Sequence, residues 1–246
     1  CPVSHHLAAS KAMDAIVGTK RLTPTAEKVR RLMHYGQMLQ SHALHFFHLC
    51  SPDLLFGFGS EAGRRNIVGV AAAHPETARR GVLLRRFGQE VIRVTAGKRI
   101  HGTGSIPGGV NKPVTRQERD ALLADIYDMV SWSRGAVALA KELHGKDPAL
   151  YNSFGVFRSN MMSLVAPDGG LDFYDGSLRA RDEAGEIIFD HVDYRDYHGH
   201  IREEVKPWSY MKFPFLSALG AEKGWYKVGP LARVQNCDAI GTPLAE

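Results

Sequence analysis

Residues 23–50 have the sequence TPTAEKVRRLMHYGQMLQSHALHFFHLC, which predicts one long helix. Thr23 suits the N-cap and Pro24 suits the first helical position. We predict that the helix stops at Ser51-Pro52, because the residue before a proline disfavours helical backbone. The apolar positions wrap much of the helical cylinder, which favours a helix buried in a bundle. These positions are Val29, Leu32, Met33, Leu39, Leu44 and Phe47.

Three more helices are predicted on either side of this one. The first covers His6–Val17 and ends at Gly18, a plausible C-cap. The second runs from His74-Pro75 to about Thr95 and is broken by Gly97. The third covers Thr115–Leu143 and begins with a capping box, in which Thr115 is followed three residues later by Glu118.

The sequence pattern changes beyond Asp147 from helical periodicity to short β-type runs. Short β-type runs separated by Gly-containing turns predict a small antiparallel meander. These runs are Gly155–Val165, Leu171–Tyr174, Leu178–Arg181 and Ile187–Asp190. The aromatic segment Trp208–Phe215 is interpreted as core or interface packing. The predicted fold class is therefore mainly α (α+β), a long-helix bundle with a small meander. We expect a helical body at 1–150 and a meander at 151–246 that returns to it, as one composite domain truncated at both ends.

Composition narrows the function classes. Hydrophobic residues at 44% and charged residues at 23% are ordinary for a soluble globular protein, and no apolar run approaches a membrane span. Three widely spaced cysteines do not make a disulfide framework and favour a reducing cytoplasm. Residues 1–120 carry 18 Lys and Arg against 8 Asp and Glu. No aromatic residues are interleaved with these basic residues, which argues against a nucleic-acid-binding surface. The positive charge indicates instead a solvated face or a surface that docks an acidic partner.

The candidates for metal binding and proton transfer are Cys1 and several of the histidines. Cys1 is followed by His5, and a thiol in the company of imidazole suits a soft metal, but two ligands cannot close a site. The remaining ligands are therefore expected outside this sequence, and the chain is interpreted as the middle of a metalloenzyme subunit. His42 and His45 are three residues apart and share a helix face, predicted to be buried. They could be ligands, proton carriers or hydrogen-bonded core members.

The segment Gly102–Gly109 resembles a phosphate loop only in its glycine count. No Gly-Lys-Ser/Thr follows it, and Pro107 removes a backbone donor. We predict instead a close, glycine-permitted approach of backbone to a buried group.

Four motifs together carry a family resemblance. Cys1-Pro2-Val3-Ser4-His5 is similar to the end of an Arg-x-Cys-Gly-Ile-Cys-x-x-x-His motif, and Ser41–Leu49 is similar to a second histidine motif. Gly97–His101 with Pro107–Val110 resembles a glycine-rich loop, and Lys227–Asp238 resembles a stretch before a C-terminal motif. These are motifs of nickel–iron hydrogenase large subunits, in the right order over essentially the whole chain. The segments 2–6 and 51–55 most resemble the cytoplasmic, bidirectional, NAD-reducing branch.

The resemblance implies reversible oxidation of dihydrogen to protons and electrons. It also implies a nickel–iron centre held by four cysteine thiolates, with carbon monoxide and cyanide on the iron. Cys1 matches the thiolate that bridges nickel and iron, and the other three ligands are expected outside the chain. His5, His42 and His45 are the candidate catalytic residues around the ligands. His5 is expected to donate a hydrogen bond to a bridging thiolate, and the 246-residue chain alone is expected to be inactive.

Expected partners follow from the same resemblance. They are an iron–sulfur small subunit and a flavin/NAD diaphorase module. No strand–Gly-x-Gly-x-x-Gly–helix unit is present, so NAD is expected to bind another subunit. One alternative is a quinone-side subunit of the complex I type, which shares the ancestry without a metal centre. Cys1 argues against it. A histidine-rich zinc-binding module would need ligands at closed spacing within the chain, and these are missing.

Overall fold

The computed structural model describes residues 2–241, and the chain divides between Pro148 and Ala149 into two compact units. We call them the helical unit, Cys1–Pro148, and the sheet unit, Ala149–Glu246. The sequence analysis predicted a change in composition after Asp147 and a boundary between the helical body and the meander after residue 150. The single composite domain stays a prediction.

Within its described residues the regular structure of the helical unit is six α-helices, a π-helix at His45–Cys50 and one very short hairpin. The helices are α1 Pro2–Ile16, α2 Pro24–Leu44, α3 Ser51–Phe56, α4 Ile67–Ala73, α5 Pro75–Ala96 and α6 Arg116–Lys146. The hairpin pairs β1, Ser105–Ile106, with β2, Gly109–Val110. Among the helices of residues 2–241, none combines the length and the hydropathy that a bilayer crossing needs.

Helix boundaries that rest on capping chemistry are confirmed. The Thr23 hydroxyl accepts a hydrogen bond from the Ala26 N–H at the start of α2. Gly97 ends α5 with a φ of 82°, the left-handed region where glycine has no steric penalty. Both hydrogen bonds of the predicted box between Thr115 and Glu118 are present at the start of α6. Each cap satisfies backbone groups that a helix end otherwise leaves unpaired.

Two predicted boundaries were wrong. Helix α1 begins at Pro2 rather than His6, because proline fits the first helical turn, where no N–H donor is needed. The predicted stop at Ser51-Pro52 is absent. The chain passes from α2 into a π-helix, His45–Cys50, and continues as α3 to Phe56.

Helices α2 and α5 approach each other closely at two glycines. A Cβ atom added to Gly88 of α5 would lie 2.7 Å from the backbone nitrogen of Gln40 and from the Gly36 carbonyl oxygen. One added to Gly36 would lie 2.7 Å from the Val91 side chain. Such contacts are too short for real atoms, so the absence of side chains allows the two backbones to pack together.

One hydrophobic cluster of the helical unit joins α2, the π-helix, α5 and α6. Its buried members are Ala43, Phe47, Leu84 and Met129, packed against Leu39, Phe46, Phe87, Trp132 and Ala136. Of the apolar positions that predict an α2 buried in a bundle, Val29 and Met33 are buried, and Leu39 and Leu44 are partly buried. Leu32 and Tyr35 on α2 are exposed, because the helix buries the face that meets α5.

The sheet unit contains a four-stranded sheet, a separate hairpin and short helices. Its strands are β3 Asn160–Val165, β4 Ser177–Arg181, β5 Ile187–Val192, β6 Ile201–Val205, β7 Lys212–Leu216 and β8 Tyr226–Lys227. Its α-helices are α7 Pro148–Ser153, which begins at the last residue of the helical unit, α8 Gly220–Lys223 and α9 Pro230–Asn236. Two 3-10 helices cover Tyr194–Gly199 and Ser217–Leu219. The sheet order is β5-β4-β3-β8, with β8 parallel to β3 and the other pairs antiparallel. Strands β6 and β7 form the hairpin.

The predicted meander is confirmed in three of its four runs, as β3, β4 and β5. The run Leu171–Tyr174 is not a strand, because the Asp172 carboxylate accepts hydrogen bonds from the N–H groups of Tyr174 and Asp175. Such bonds offer the backbone an alternative to a sheet ladder. The aromatic segment predicted as packing includes β7, which sequence analysis did not identify as a strand.

Candidate functional site

The first turns of α1 are attached to the glycine-rich loop. The backbone N–H of Ser105 donates to His6 Nε2 over 3.2 Å, and the Ser10 hydroxyl donates to the Ser105 carbonyl oxygen over 3.2 Å. Because Nε2 accepts this bond, the neutral His6 ring carries its proton on Nδ1. His5, the neighbouring candidate, is exposed. Cys1, the predicted metal ligand, lies outside the described residues.

The glycine-rich loop lies against the end of α5. A Cβ atom on Gly104 would be 2.7 Å from the Thr95 carbonyl oxygen, and one on Gly102 would be 2.6 Å from the Ala96 Cβ. The close approach predicted for this loop is therefore confirmed, and the group it approaches is the last turn of a helix. The loop positions Ser105, which in turn contacts α1.

A buried arginine connects the same elements from the other side. The Arg30 side chain of α2 is 0% exposed and pairs with Asp14 of α1, with Nη1 to Oδ2 at 2.6 Å. Its Nε donates to the Gly109 carbonyl oxygen over 3.0 Å, and its Nη2 donates to the Ile106 carbonyl oxygen over 2.7 Å. Arg30 thus joins α1, α2 and the β1–β2 loop.

Asp14 completes this cluster. Its carboxylate also accepts a hydrogen bond from the Gly108 N–H over 2.7 Å. Burial by itself would raise the pKa of Asp14, but the hydrogen bond and charge of Arg30, with the Gly108 N–H, outweigh it and lower the pKa. The carboxylate is therefore ionised at neutral pH, and the buried guanidinium has its counter-charge.

The two helical histidines do not lie on a buried face, so that prediction was wrong. His42 and His45 are both exposed. The His42 Nδ1 lies 2.9 Å from the Met38 carbonyl oxygen, which fixes the proton on that nitrogen. The exposed face follows from the packing of α2, whose opposite side carries Ala43 into the core.

The π-helix explains a contact that helical spacing did not predict. The Cys50 Sγ atom lies 3.3 Å from His45 Nδ1, and a π-helix brings residues five apart together. Pro52 accounts for the wider turn, because in an α-helix its ring would clash with the His48 carbonyl. Burial, with Asp53 as a lesser cause, raises the pKa of the Cys50 thiol. Cys50 is thus a protonated thiol beside an imidazole.

The described residues do not fit a metal centre by themselves. Within residues 2–241 no three His, Cys, Asp or Glu side chains converge closely enough to hold a metal ion. Any centre on this protein must therefore take ligands from Cys1 or from chain outside the described range, and we assign no step at a metal to the described side chains.

Sequence reasoning missed Arg30, Asp14 and Ser105. A signal for Arg30 was present, because it stands among the apolar residues Val29 and Met33 of a helix predicted to be buried. Charged residues are almost never fully buried unless they are paired. The partner could not be identified, since Asp14 lies 16 residues away on another helix.

Comparison with solved structures places the fold in a class. The crystal structure of an NAD+-reducing NiFe hydrogenase in the H2-reduced state superposes with a TM-score of 0.95 and 54% identity, covering 99% of this chain and 54% of that one. A NiFeSe hydrogenase of Dm. baculatum superposes with a TM-score of 0.68 at 18% identity, covering 91% of this chain and 53% of that one, and so shares the fold. The predicted fold class is confirmed as that of nickel–iron hydrogenase large subunits.

Sequence comparison identifies the family. The family model for nickel-dependent hydrogenase matches residues 1–55. The NAD-reducing hydrogenase HoxS subunit beta of Cupriavidus necator is 42% identical over 257 aligned positions, which include 100% of this chain and 52% of that protein. The chain belongs to the nickel-dependent hydrogenase family. It spans about half the length of the curated relatives that it matches.

Proposed function

We propose that this chain is part of the catalytic subunit of a nickel–iron hydrogenase. The reaction would be reversible oxidation of dihydrogen to protons and electrons, coupled through partner subunits to NAD. The observation that carries the proposal is the match to an NAD+-reducing NiFe hydrogenase along 99% of this chain at 54% identity. The relatives named above are hydrogenases, which favours this function over a metal-free quinone-side subunit.

The proposed metal centre is nickel–iron, with carbon monoxide and cyanide on the iron. Cys1 would supply a thiolate that bridges the two metals, and three further cysteines would come from outside this sequence. Soft thiolates suit nickel, and a bridging sulfur must be deprotonated. The described residues support this arrangement indirectly, because His6, Ser10 and Ser105 fix the helix that follows Cys1.

The role proposed for His5 differs from the role proposed for His42 and His45. His5 follows Cys1 by four positions in the first turns of α1, and its side chain is exposed. We propose that its ring donates a hydrogen bond to the bridging thiolate. His42 and His45 are proposed as proton carriers rather than ligands, since both are exposed. The Cys50 thiol beside His45 belongs to the same proposal.

The proposed partners are an iron–sulfur small subunit and a flavin/NAD diaphorase module, with the enzyme in the cytoplasm. The C. necator relative is itself a subunit by name, which supports an assembly. We expect the small subunit to contact the helical unit, near His5 and His42. Electrons from a buried centre need a relay, and NAD would bind on another chain. Crosslinks to the small subunit only from residues 170–190 would contradict this placement.

The test uses the complete subunit with its flanking sequence in its assembly. Cys1→Ser should abolish nickel binding and hydrogen oxidation, since a hydroxyl is a poor bridging ligand at neutral pH. Cys237→Ser is the matched control and should retain both. Elemental analysis measures nickel, and reduction of an artificial dye under hydrogen measures activity. Full nickel content and full activity in Cys1→Ser would contradict the assignment of Cys1 as a metal ligand.

A third variant tests whether His5 is a metal ligand or a residue that supports a ligand. His5→Gln should retain nickel while hydrogen oxidation falls by about 10–100-fold, as for residues that orient or polarise a ligand. Loss of nickel would make His5 a ligand instead. Wild-type turnover would leave it a surface histidine.

A further inference from the structure

The sheet unit contains a cavity of about 680 Å³ at one end of its four-stranded sheet. This volume lies in the range of pockets that bind small molecules. Apolar side chains, cations, two acidic residues and a buried serine are among the residues that line it. Those that would contact the ligand are Phe154, Val156, Ser159, Arg181 and Lys227.

Strand register places two cations on the same face of the sheet. Met161 of β3 pairs with Arg181 of β4 on one side and with Lys227 of β8 on the other. Directly paired residues project from the same face, so the three side chains form a row across the sheet. Ser159 precedes Met161 by two residues. It lines the same cavity as these side chains.

Two hydrogen-bond donors of residues that line the cavity have no acceptor among residues 2–241. They are the Ser159 hydroxyl, on a residue that is 5% exposed, and Arg181 Nε. The rest of the Arg181 guanidinium is fixed, since Nη1 donates to the Gly185 carbonyl oxygen and Nη2 to Asp238. A buried donor without an acceptor destabilises the protein, and a ligand that supplies an acceptor removes this cost.

The other residues that line the cavity indicate the charge and the polarity of a ligand that would fit it. Lys227 Nζ donates to the Phe157 carbonyl oxygen over 2.9 Å, which leaves it two further N–H donors. Phe154 and Val156 are exposed and line the apolar wall. Two acidic residues, Asp182 and Glu183, also line the cavity. Their charge disfavours a dianion and favours a ligand that carries a single negative charge.

We propose that this cavity binds a small organic carboxylate. The carboxylate accepts hydrogen bonds from Ser159 and Arg181 and is neutralised by Lys227, and its apolar body lies on Phe154 and Val156. Hydrogen bonds between charged and polar groups of this kind are about twice as strong as neutral ones. The proposal concerns the sheet unit alone and does not depend on the hydrogenase assignment.

The experiment titrates benzoate into the protein in its native assembly and measures binding by isothermal titration calorimetry. Ser159→Ala and Lys227→Met should each weaken binding about tenfold or more, since each removes a bond to the carboxylate. Lys223→Met is the matched control, an exposed lysine outside the cavity, and should leave the affinity unchanged. Lys227→Arg retains the charge and should retain binding.

Specificity is tested with two more probes. Benzyl alcohol, which has no charge, should bind at least tenfold more weakly than benzoate. Phenyl phosphate, largely a dianion at pH 7.5, should also bind more weakly. The proposal is overturned if wild type does not bind benzoate, if Ser159→Ala and Lys223→Met have the same affinity, or if either comparison probe binds as well as benzoate. Ser159→Ala keeps the test valid if Lys227→Met does not fold.

Discussion

Both units are organised around a buried arginine, but the two arginines are neutralised differently. Arg30 of the helical unit is 0% exposed, pairs with Asp14 and donates to two loop carbonyls. Arg179 of the sheet unit is 3% exposed and pairs with Asp190 and Asp238, while Nη1 also donates to the Asn236 carbonyl oxygen. Each guanidinium joins segments distant in sequence through a fixed fork of donors.

The difference lies in the exposure of the carboxylates. Asp14 is 13% exposed, whereas Asp238 is 49% exposed. Removing Arg30 would leave a nearly buried charge without a partner, and removing Arg179 would leave charges that water can reach. The comparison therefore predicts that the helical unit depends more strongly on its arginine than the sheet unit does on its own.

The largest effect is expected for Arg30→Met. Breaking a buried pair by removing one partner costs about 3–5 kcal/mol, because the remaining charge stays desolvated. Amide hydrogen exchange, read separately in the two units, should show lost protection at Ser105 and Gly108 of the loop. Protection in β3 and β4 should be unchanged.

Arg31→Met is the control for the loss of a charge on α2. Arg31 pairs with Glu27 on the helix surface, where such pairs contribute about 0–1 kcal/mol. Equal effects of the Arg30 and Arg31 variants would show that the buried network is not what stabilises the loop.

A smaller effect is expected for Arg179→Met, about 2 kcal/mol, the typical loss of hydrogen bonds to charged groups that water can partly replace. Exchange protection should fall at Asn236, whose carbonyl oxygen and side chain both contact the Arg179 region. Arg179→Lys should recover little, because an ammonium cannot form the two-pronged bond to Asp190. A loss larger than that of Arg30→Met would reverse the comparison.

The smallest effect concerns pH. The hydrogen bond and charge of Arg179 lower the pKa of Asp190, and Arg30 overcomes burial to lower that of Asp14. A carboxyl with a depressed folded pKa stabilises the protein fully above its unfolded value, near 4, and this stabilisation is lost as pH falls through the folded value. Urea unfolding should therefore show no contribution from these groups to a change between pH 5 and 8, and a decline below about pH 4.

Asp14→Asn separates the contribution of Asp14 to this pH dependence from that of Asp190. The variant should be less stable at pH 7, and the difference from wild type should shrink as pH falls below 4, where the wild-type carboxyl becomes protonated. A difference that stays constant from pH 7 to pH 2 would contradict the assigned pKa direction.

Local chemistry in the sequence determined several boundaries of the long helices. Thr23-Pro24, Gly97 and the Thr115–Glu118 box act within one helical turn, so their effects are visible in a short window of residues. Motif order determined the family for the same reason, since Cys1–His5 and Ser41–Leu49 are continuous segments. The strands β3, β4 and β5 were also recognisable from their composition and turns.

Tertiary structure decided what depends on contacts between distant residues. The Arg30–Asp14 pair and the attachment of Ser105 to α1 join residues 16 and 95–99 positions apart, and no local pattern encodes them. The π-helix and its His45–Cys50 contact shift the spacing from four residues to five, which an α-helical wheel cannot show. The row of Arg181, Met161 and Lys227 depends on strand register. The sequence alone determined the long helices, three of the strands and the family, because those follow from neighbouring residues, while the packing determined which side chains meet.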